Sequence, residues 1–136
     1  MLRSIAPMNA KRLSELPLFE GLEETDVRAV SKAAQEVSVQ EGAELVREGD
    51  YSYDLSIIDE GQAEVLHEGR VIATLGPGDV FGEAGVLGKA QRNANVRAST
   101  PMRLITLTGW DLRRLRGRIP ALEQRLNDLA AARGES

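Results

Sequence analysis

The chain has 136 residues, with 42% hydrophobic and 28% charged, a length and balance typical of one compact globular domain. It has no cysteine, which excludes disulfides, thiolate metal sites and iron–sulfur clusters. It also has no apolar run long enough to span a membrane and no leader for export, so we expect a soluble cytoplasmic protein. The net charge is −4, with an acidic first half and a basic second half, so binding to nucleic acid or to a membrane is not expected.

Two short helices are predicted at the N-terminal end. The first lies near residues 9–16, and Pro17 ends it because proline cannot continue the helical hydrogen bonds. After the turn at Gly21, acidic residues precede apolar residues at helical spacing, the pattern of a helix N-terminus. These residues are Glu23, Glu24 and Asp26, followed by Val27, Val30 and Ala34.

The pattern changes to short strands from about residue 36 to residue 108. Turn residues separate brief apolar runs at Glu41-Gly42, Glu48-Gly49-Asp50, Glu60-Gly61, Glu68-Gly69 and Gly76-Pro77-Gly78-Asp79. Strands at this spacing are typical of an antiparallel sandwich or barrel.

Helix returns at the C-terminal end. Residues 110–117 predict a short helix, and Pro120 stands where the first turn of a last helix, running to about Arg133, tolerates proline. The last helix carries one apolar stripe, formed by Ile119, Leu122, Leu126 and Leu129. We expect this stripe to pack on the barrel, with a weak homodimer through the helix as the alternative.

Three features near this end have simple interpretations. Arginines 113, 114, 116 and 118 are expected to be solvated at a helix end, although the basic half of the chain also suits a small anionic ligand. Trp110 is expected to pack at the hinge between barrel and helix, with base stacking as the alternative. His67, the only histidine, is expected at an exposed strand position, and a single histidine disfavours a metal-dependent enzyme or a haem sensor.

The segment from Phe81 to Ala98 contains the candidate ligand-binding residues. Gly82 permits an unusual turn, and a helical turn from Glu83 to about Leu87 would direct free backbone N–H groups towards an anion. In the following strand small apolar residues alternate with polar ones. If that alternation extends back, Arg92 faces inward with the apolar set, which is Ala94, Val96 and Ala98.

An inward arginine keeps its charge and therefore needs an anionic partner. Its guanidinium, together with the free amides, suits a phosphate. Glu83 suits a neutral donor such as a sugar hydroxyl. From the residues alone, an ion pair between Arg92 and Glu83 inside the barrel remains the alternative.

Several motifs agree with one known family. Phe81-Gly82-Glu83 is followed, nine residues after the glutamate, by Arg92-Asn93-Ala94. Further matching stretches are Leu16-Pro17-Leu18-Phe19-Glu20-Gly21-Leu22, Arg47-Glu48-Gly49-Asp50, Ile57-Ile58-Asp59-Glu60-Gly61 and Leu75-Gly76-Pro77-Gly78-Asp79. Over roughly residues 13–130 the chain resembles the cyclic-nucleotide-binding domains of catabolite activator proteins, protein kinase A regulatory subunits and cyclic-nucleotide-gated channels. We therefore treat residues 1–136 as a single domain.

The resemblance implies a mainly β fold. This fold is an antiparallel β-roll or jelly-roll barrel with N-terminal helices, a short cassette helix and C-terminal helices. It also implies non-catalytic binding of cyclic AMP or cyclic GMP by a regulatory domain, with ligand-coupled movement of the C-terminal helix and no separate cofactor or metal.

The resemblance also assigns residue roles. Arg92 would pair with the cyclic phosphate, and Asn93, Ala84 and Gly85 would complete the phosphate site. Gly82 and Glu83 would approach the ribose, with the Glu83 carboxylate on the 2′-hydroxyl. Arg125 and Leu126 are the candidates to cap the base.

The cassette departs from the family pattern in three places. Ala84-Gly85 replaces a more usual Leu-Ala, Gln91 replaces a common proline, and Asn93 leaves the preference between cyclic AMP and cyclic GMP open. The alternative function is an interaction module that keeps the fold without binding nucleotide. A DNA-binding domain is not expected, because relatives carry it after the last helix and the sequence to Ser136 leaves no room for one.

Overall fold

The structure is a computed structural model that describes residues 4–7, 9–49, 54–82 and 94–132, with side chains over 9–49, 54–82 and 94–129. Its strands are β1 (Ser4–Pro7), β2 (Gln35–Val39), β3 (Glu44–Val46), β4 (Leu55–Glu60), β5 (Ala63–His67), β6 (Arg70–Leu75), β7 (Val80–Phe81), β8 (Asn95–Ala98) and β9 (Met102–Leu107). Its helices are α1 (Ala10–Ser14), a 3-10 turn (Pro17–Phe19), α2 (Glu24–Ala33), α3 (Gly109–Arg118) and α4 (Pro120–Ala132).

The strands form two antiparallel sheets. One has the order β1-β2-β9-β4-β7 and the other β3-β8-β5-β6. Apolar residues from both sheets share one core cluster, so the sheets face each other as an open roll rather than a closed barrel. This arrangement confirms the predicted mainly-β roll flanked by helices.

The central strands of the five-stranded sheet, β4 and β9, are buried on both faces. Along β4 and β9, Leu55, Ile57 and Ile105 pack with the helices in one cluster, whereas Ile58 and Leu104 pack inside the roll in the other. Successive residues of a strand point to opposite faces, so a strand covered on both sides must be apolar at nearly every position. The sheet therefore separates a helical layer from the roll interior.

The apolar stripe of α4 is buried within its own chain, as predicted. Ile119, directly before α4, and Leu122 and Leu126 within it are at most 1% exposed, and Leu129 packs against the same cluster while remaining partly exposed. The cluster joins α4 to the other helices and to the helix-facing side of β4 and β9. No helix among the described residues is long and apolar enough to cross a membrane.

One expectation about the chain ends is wrong, and one strand there was not predicted. The hinge-packing role of Trp110 is wrong, because its side chain is 78% exposed. The buried face of α3 carries Leu112 and Leu115, and at about 100° per residue Trp110 projects from the opposite face. The N-terminal strand β1 was not predicted; it is only four residues long, ends in Pro7 and pairs along β2 at the sheet edge.

The arginines of α3 are solvated with one exception. Arg113, Arg114 and Arg118 are exposed as predicted. The side chain of Arg116 is only 21% exposed and donates a hydrogen bond of 3.2 Å to Glu123 at the start of α4. This contact joins the two C-terminal helices.

Candidate functional site

The segment singled out by the sequence connects the two sheets. It leaves the five-stranded sheet at β7 and enters the four-stranded sheet at β8. Residues 83–93 lie outside the described part of the chain, and with them five of the predicted site residues: Glu83, Ala84, Gly85, Arg92 and Asn93. Their roles stay predictions, and the structure defines the residues that flank them.

On the β7 side, the chain turns sharply as it leaves the sheet. Phe81 is 6% exposed and packs inside the roll. Gly82 follows with a φ of +93°, in the left-handed region that favours glycine. The prediction of an unusual backbone at Gly82 is therefore confirmed, and the next residue along the chain is Glu83.

On the β8 side, the predicted alternation is present from Asn95 to Ala98, whereas Ala94, which was predicted to share the inward face, lies in a bend before β8 and is partly exposed. Val96 and Ala98 are buried in the roll interior, Asn95 is partly exposed and Arg97 is exposed. Arg97 forms an ion pair of 2.9 Å with Glu64 on the neighbouring strand.

Asn95 also fixes a turn beside the start of β8. Its Oδ1 atom accepts a hydrogen bond of 2.7 Å from the backbone N–H of Glu48. The turn after β3 is thereby held against the first residue of β8. This contact positions the strand that follows the predicted arginine.

Two hydroxyl side chains that the sequence analysis missed lie on the same face of the sheet as Phe81, Ser56 beside it and Thr106 one strand further. Ser56 is the direct cross-strand neighbour of both Phe81 and Thr106, so all three side chains lie on the roll side of the sheet. The Ser56 and Thr106 hydroxyl oxygens are 3.5 Å apart and part-buried. The signal that finds them is a hydroxyl residue between two buried apolar ones, as in Leu55-Ser56-Ile57.

The roll interior also has an incompletely covered apolar margin. Four side chains pack against its buried cluster but remain partly exposed: Leu45, Val46, Val65 and Leu75. Apolar surface at the edge of a core, beside a few hydroxyl groups, suits a flat and partly polar ligand.

The two base-cap candidates are engaged elsewhere in this arrangement. Leu126 is fully buried in the helical cluster, and the Nη1 atom of Arg125 donates a 2.8 Å hydrogen bond to the carbonyl oxygen of Leu18. Capping a base with either side chain requires α4 to occupy another position. That role stays a prediction.

The described residues offer no metal site. His67 is exposed at the end of β5, as predicted, with its Nδ1 atom 3.5 Å from a Glu48 carboxylate oxygen. No group of three potential ligands gathers anywhere in the ranges that the structure describes.

The comparison with protein-family models identifies the family of this domain. Residues 36–118 match the model of the cyclic nucleotide-binding domain. The chain belongs to this family. Cyclic nucleotide-binding domains are regulatory rather than catalytic, and the matched stretch contains both sheets' strands from β2 to β9 together with α3.

Relatives by sequence and by structure agree. The chain is 35% identical over 106 residues, 77% of its length, to the cAMP-dependent protein kinase regulatory subunit of Schizosaccharomyces pombe. A catabolite activator protein of Thermus thermophilus superposes with a TM-score of 0.77 and 31% identity over 86% of this chain and 57% of that one. A cyclic nucleotide-binding domain from Methylobacillus flagellatus, 24% identical, shares the fold with a TM-score of 0.80 over 96% of this chain and 83% of its own.

The chain is shorter than the curated relatives that it matches. It spans 26% of the S. pombe regulatory subunit. The activities of those longer proteins are therefore not assigned to this domain.

Proposed function

We propose that this domain binds a cyclic nucleotide, cyclic AMP or cyclic GMP, inside the roll and acts as a regulatory sensor. The observation that carries the proposal is the junction between the sheets. Gly82 in its left-handed conformation and the inward-facing Val96 bracket the segment that contains Glu83 and Arg92. The described residues on either side of that segment, Phe81 and Val96, thus belong to the same interior cluster.

Arg92 is proposed to bind the phosphate. It lies four residues before the inward-facing Val96, and an even separation would put it on the inward side if the chain before β8 is extended. A guanidinium group facing a roll interior is stabilised by a bidentate anion such as a phosphate. Arg97 follows Val96 and is therefore exposed on the outward side of β8, where it pairs with Glu64. It serves as the control for Arg92.

Glu83 is proposed to bind the ribose 2′-hydroxyl. It directly follows Gly82, whose lack of a side chain allows the backbone to approach a ligand closely. A carboxylate beside a phosphate is favourable only if it faces a neutral donor, and a sugar hydroxyl is such a donor. The amides of Ala84 and Gly85 and the side chain of Asn93 complete the proposed phosphate site.

The base is proposed to lie against the apolar margin of the roll. Leu45, Val46, Val65 and Leu75 offer partly exposed apolar surface, and the Ser56 and Thr106 hydroxyls lie on the same side of the five-stranded sheet as Phe81. An apolar site with a few polar groups holds a flat heterocycle by burial and fixes its orientation by hydrogen bonds.

Ligand binding is proposed to shift α4. The base-cap candidates lie on this helix but are engaged with the helical cluster and with Leu18. A nucleotide that contacts Arg125 or Leu126 only when α4 has moved would shift the population towards that state by its difference in affinity for the two states.

Isothermal titration calorimetry with cyclic AMP, cyclic GMP and AMP tests the proposal. At least one cyclic nucleotide should bind and AMP should not. A 2′-deoxy analogue should bind more weakly than its parent, and Glu83→Gln should remove most of that difference, because the hydroxyl then has no carboxylate partner. Failure of both cyclic nucleotides to bind would favour the interaction module, and additive losses from analogue and substitution would assign Glu83 another role.

A further inference from the structure

The joint between the two C-terminal helices is a single residue. Ile119 ends α3 with an extended backbone, at a φ of −118° and a ψ of 90°, and α4 begins directly after it at Pro120. Proline has no backbone N–H, so it cannot carry the hydrogen bonds of α3 across the joint. The direction of α4 is therefore set by the contacts of its side chains and not by a continuous helix.

Apolar packing leaves the position of α4 adjustable. Leu122 and Leu126 are fully buried in the helical cluster, where they contact other apolar side chains. Such contacts are non-directional, and packed helices can slide past one another by small shears while apolar surface stays buried. A directional contact selects one position among those that the apolar surface permits.

Arg125 supplies a directional contact. Its Nη1 atom donates a hydrogen bond of 2.8 Å to the carbonyl oxygen of Leu18, which lies in the 3-10 turn Pro17–Phe19, 107 positions away along the chain. Gly21 lies beside the same guanidinium, since a Cβ atom at this position would be 4.0 Å from Nη2. The acceptor is a neutral carbonyl and the Arg125 side chain is partly exposed, so water can replace Leu18 as its partner and the contact is reversible.

A second polar contact of α4 lies close to the joint. Glu123, in the first turn of α4, accepts a hydrogen bond of 3.2 Å from Arg116 on α3. Because both residues flank the joint, this contact can be kept when α4 changes direction. The partner of Arg125 belongs instead to the N-terminal part of the chain, so movement of α4 relative to that part must break the Arg125–Leu18 hydrogen bond.

We propose that the hydrogen bond from Arg125 to Leu18 is a resting-state latch, which holds α4 in the position where the domain has low affinity for nucleotide. The inference rests on the proposed function, in which the ligand contacts α4 only after this helix has moved. A protein whose binding-competent state is only partly populated binds with an affinity reduced by that fraction. Removal of the latch should therefore tighten binding. A base cap would behave in the opposite way, because its removal weakens binding.

Amide exchange without nucleotide tests the latch itself. In Arg125→Ala, exchange over residues 119–132 should be faster than in the wild type, because α4 leaves its resting position more often. Arg125→Lys keeps a cationic donor and should restore part of the protection. Gln124→Ala is the matched control: it removes a hydrogen bond of 2.9 Å to Asp128 within α4 and should change exchange far less. Unchanged exchange in Arg125→Ala overturns the proposal, whether or not nucleotide binds.

Calorimetry with cyclic AMP and cyclic GMP tests the effect on binding. Arg125→Ala should bind the preferred nucleotide about three- to tenfold more tightly than the wild type, the ratio expected when the resting state alone loses one hydrogen bond. Gln124→Ala should match the wild type. A merely structural role for Arg125 would not tighten binding.

The remaining outcomes separate the latch from the proposed function. Weaker binding by Arg125→Ala overturns the latch, assigns Arg125 to the base and leaves the proposed function standing. Unchanged affinity together with faster exchange also contradicts the latch, because α4 would then move without effect on the site. If neither cyclic nucleotide binds to the wild type or to Arg125→Ala, the proposed function fails, and the contact with Leu18 has no sensing role.

Discussion

An ion pair between Asp59 and Arg12 links α1 to the five-stranded sheet. The Asp59 side chain is 2% exposed and accepts a hydrogen bond through Oδ1 from the Nη2 atom of Arg12 on α1. Its second oxygen lies 3.9 Å from Arg103 on β9. The hydrogen bond to Asp59 and the charge of Asp59 raise the pKa of the Arg12 guanidinium.

Removing Arg12 should destabilise the fold more than removing a surface arginine. In Arg12→Ala the cation that the described residues leave near the buried Asp59 carboxylate is Arg103 at 3.9 Å, and a poorly paired buried charge is costly. Arg28→Ala is the control, because its pair with Glu24 is exposed and such pairs contribute about 0.2–1 kcal/mol. Urea denaturation should give the larger midpoint shift for Arg12→Ala, and this excess should shrink in an Asp59→Asn background. Equal shifts for the two arginines would mean that Asp59 is adequately solvated.

Gly61 should tolerate no side chain. Its φ is +94°, and a Cβ atom there would collide with the Pro101 carbonyl oxygen and lie 2.9 Å from the Met102 Cα atom. Gly42 shares the left-handed backbone, with a φ of +88°, but has nothing within 4 Å. An alanine in this conformation costs about 1–2 kcal/mol at either position, and overpacking should add about 1–3 kcal/mol at Gly61 alone. Thermal or urea unfolding of Gly61→Ala and Gly42→Ala measures the difference, and equal losses would contradict the tight contact.

Trp110 should contribute little to stability despite its size. Because its side chain is 78% exposed, Trp110→Ala should change the free energy of unfolding by no more than about 0.5 kcal/mol. Leu112→Ala, two residues along the same helix on its buried face, should cost about 2–5 kcal/mol. If urea denaturation showed a large loss for Trp110→Ala, the hinge role expected from the sequence would be restored.

The sequence was most informative where burial follows a regular period. The stripe of α4 and the alternation of Val96 and Ala98 both follow from the geometry of a helix and a strand, and both are present. The left-handed backbone at Gly82 could likewise be expected, because glycine is the residue that adopts it without strain.

Features that depend on distant contacts were not predictable. The strand β1 exists because β2 supplies its hydrogen-bond partners, and its own four residues carry no strand signal. The exposure of Trp110 depends on which face of α3 meets the core, and the Arg12–Asp59 pair joins residues 47 positions apart. The sequence pattern marks Ser56 as a hydroxyl residue between two buried apolar ones, but its position between Phe81 and Thr106 depends on the strand pairing.

Amide exchange should report the proposed movement of α4. If nucleotide shifts this helix into contact with the ligand, exchange over residues 119–132 should slow when cyclic nucleotide saturates the protein. Addition of AMP at the same concentration is the control and should change nothing. Unchanged exchange at saturation with a cyclic nucleotide would make α4 a fixed structural element, and the sensor mechanism would then be wrong even if binding itself is retained.

The central claim is that Arg92 holds the phosphate of a bound cyclic nucleotide, and calorimetry on two arginine variants tests it most directly. Arg92→Ala should weaken binding of the preferred cyclic nucleotide by about 2–5 kcal/mol, at least about 30-fold, with an unchanged circular dichroism spectrum. Arg97→Ala, which removes the exposed partner of Glu64 on the opposite face of the strand, should change affinity by less than about 1 kcal/mol. Wild-type affinity in Arg92→Ala, or an equal loss in both variants, would contradict the claim.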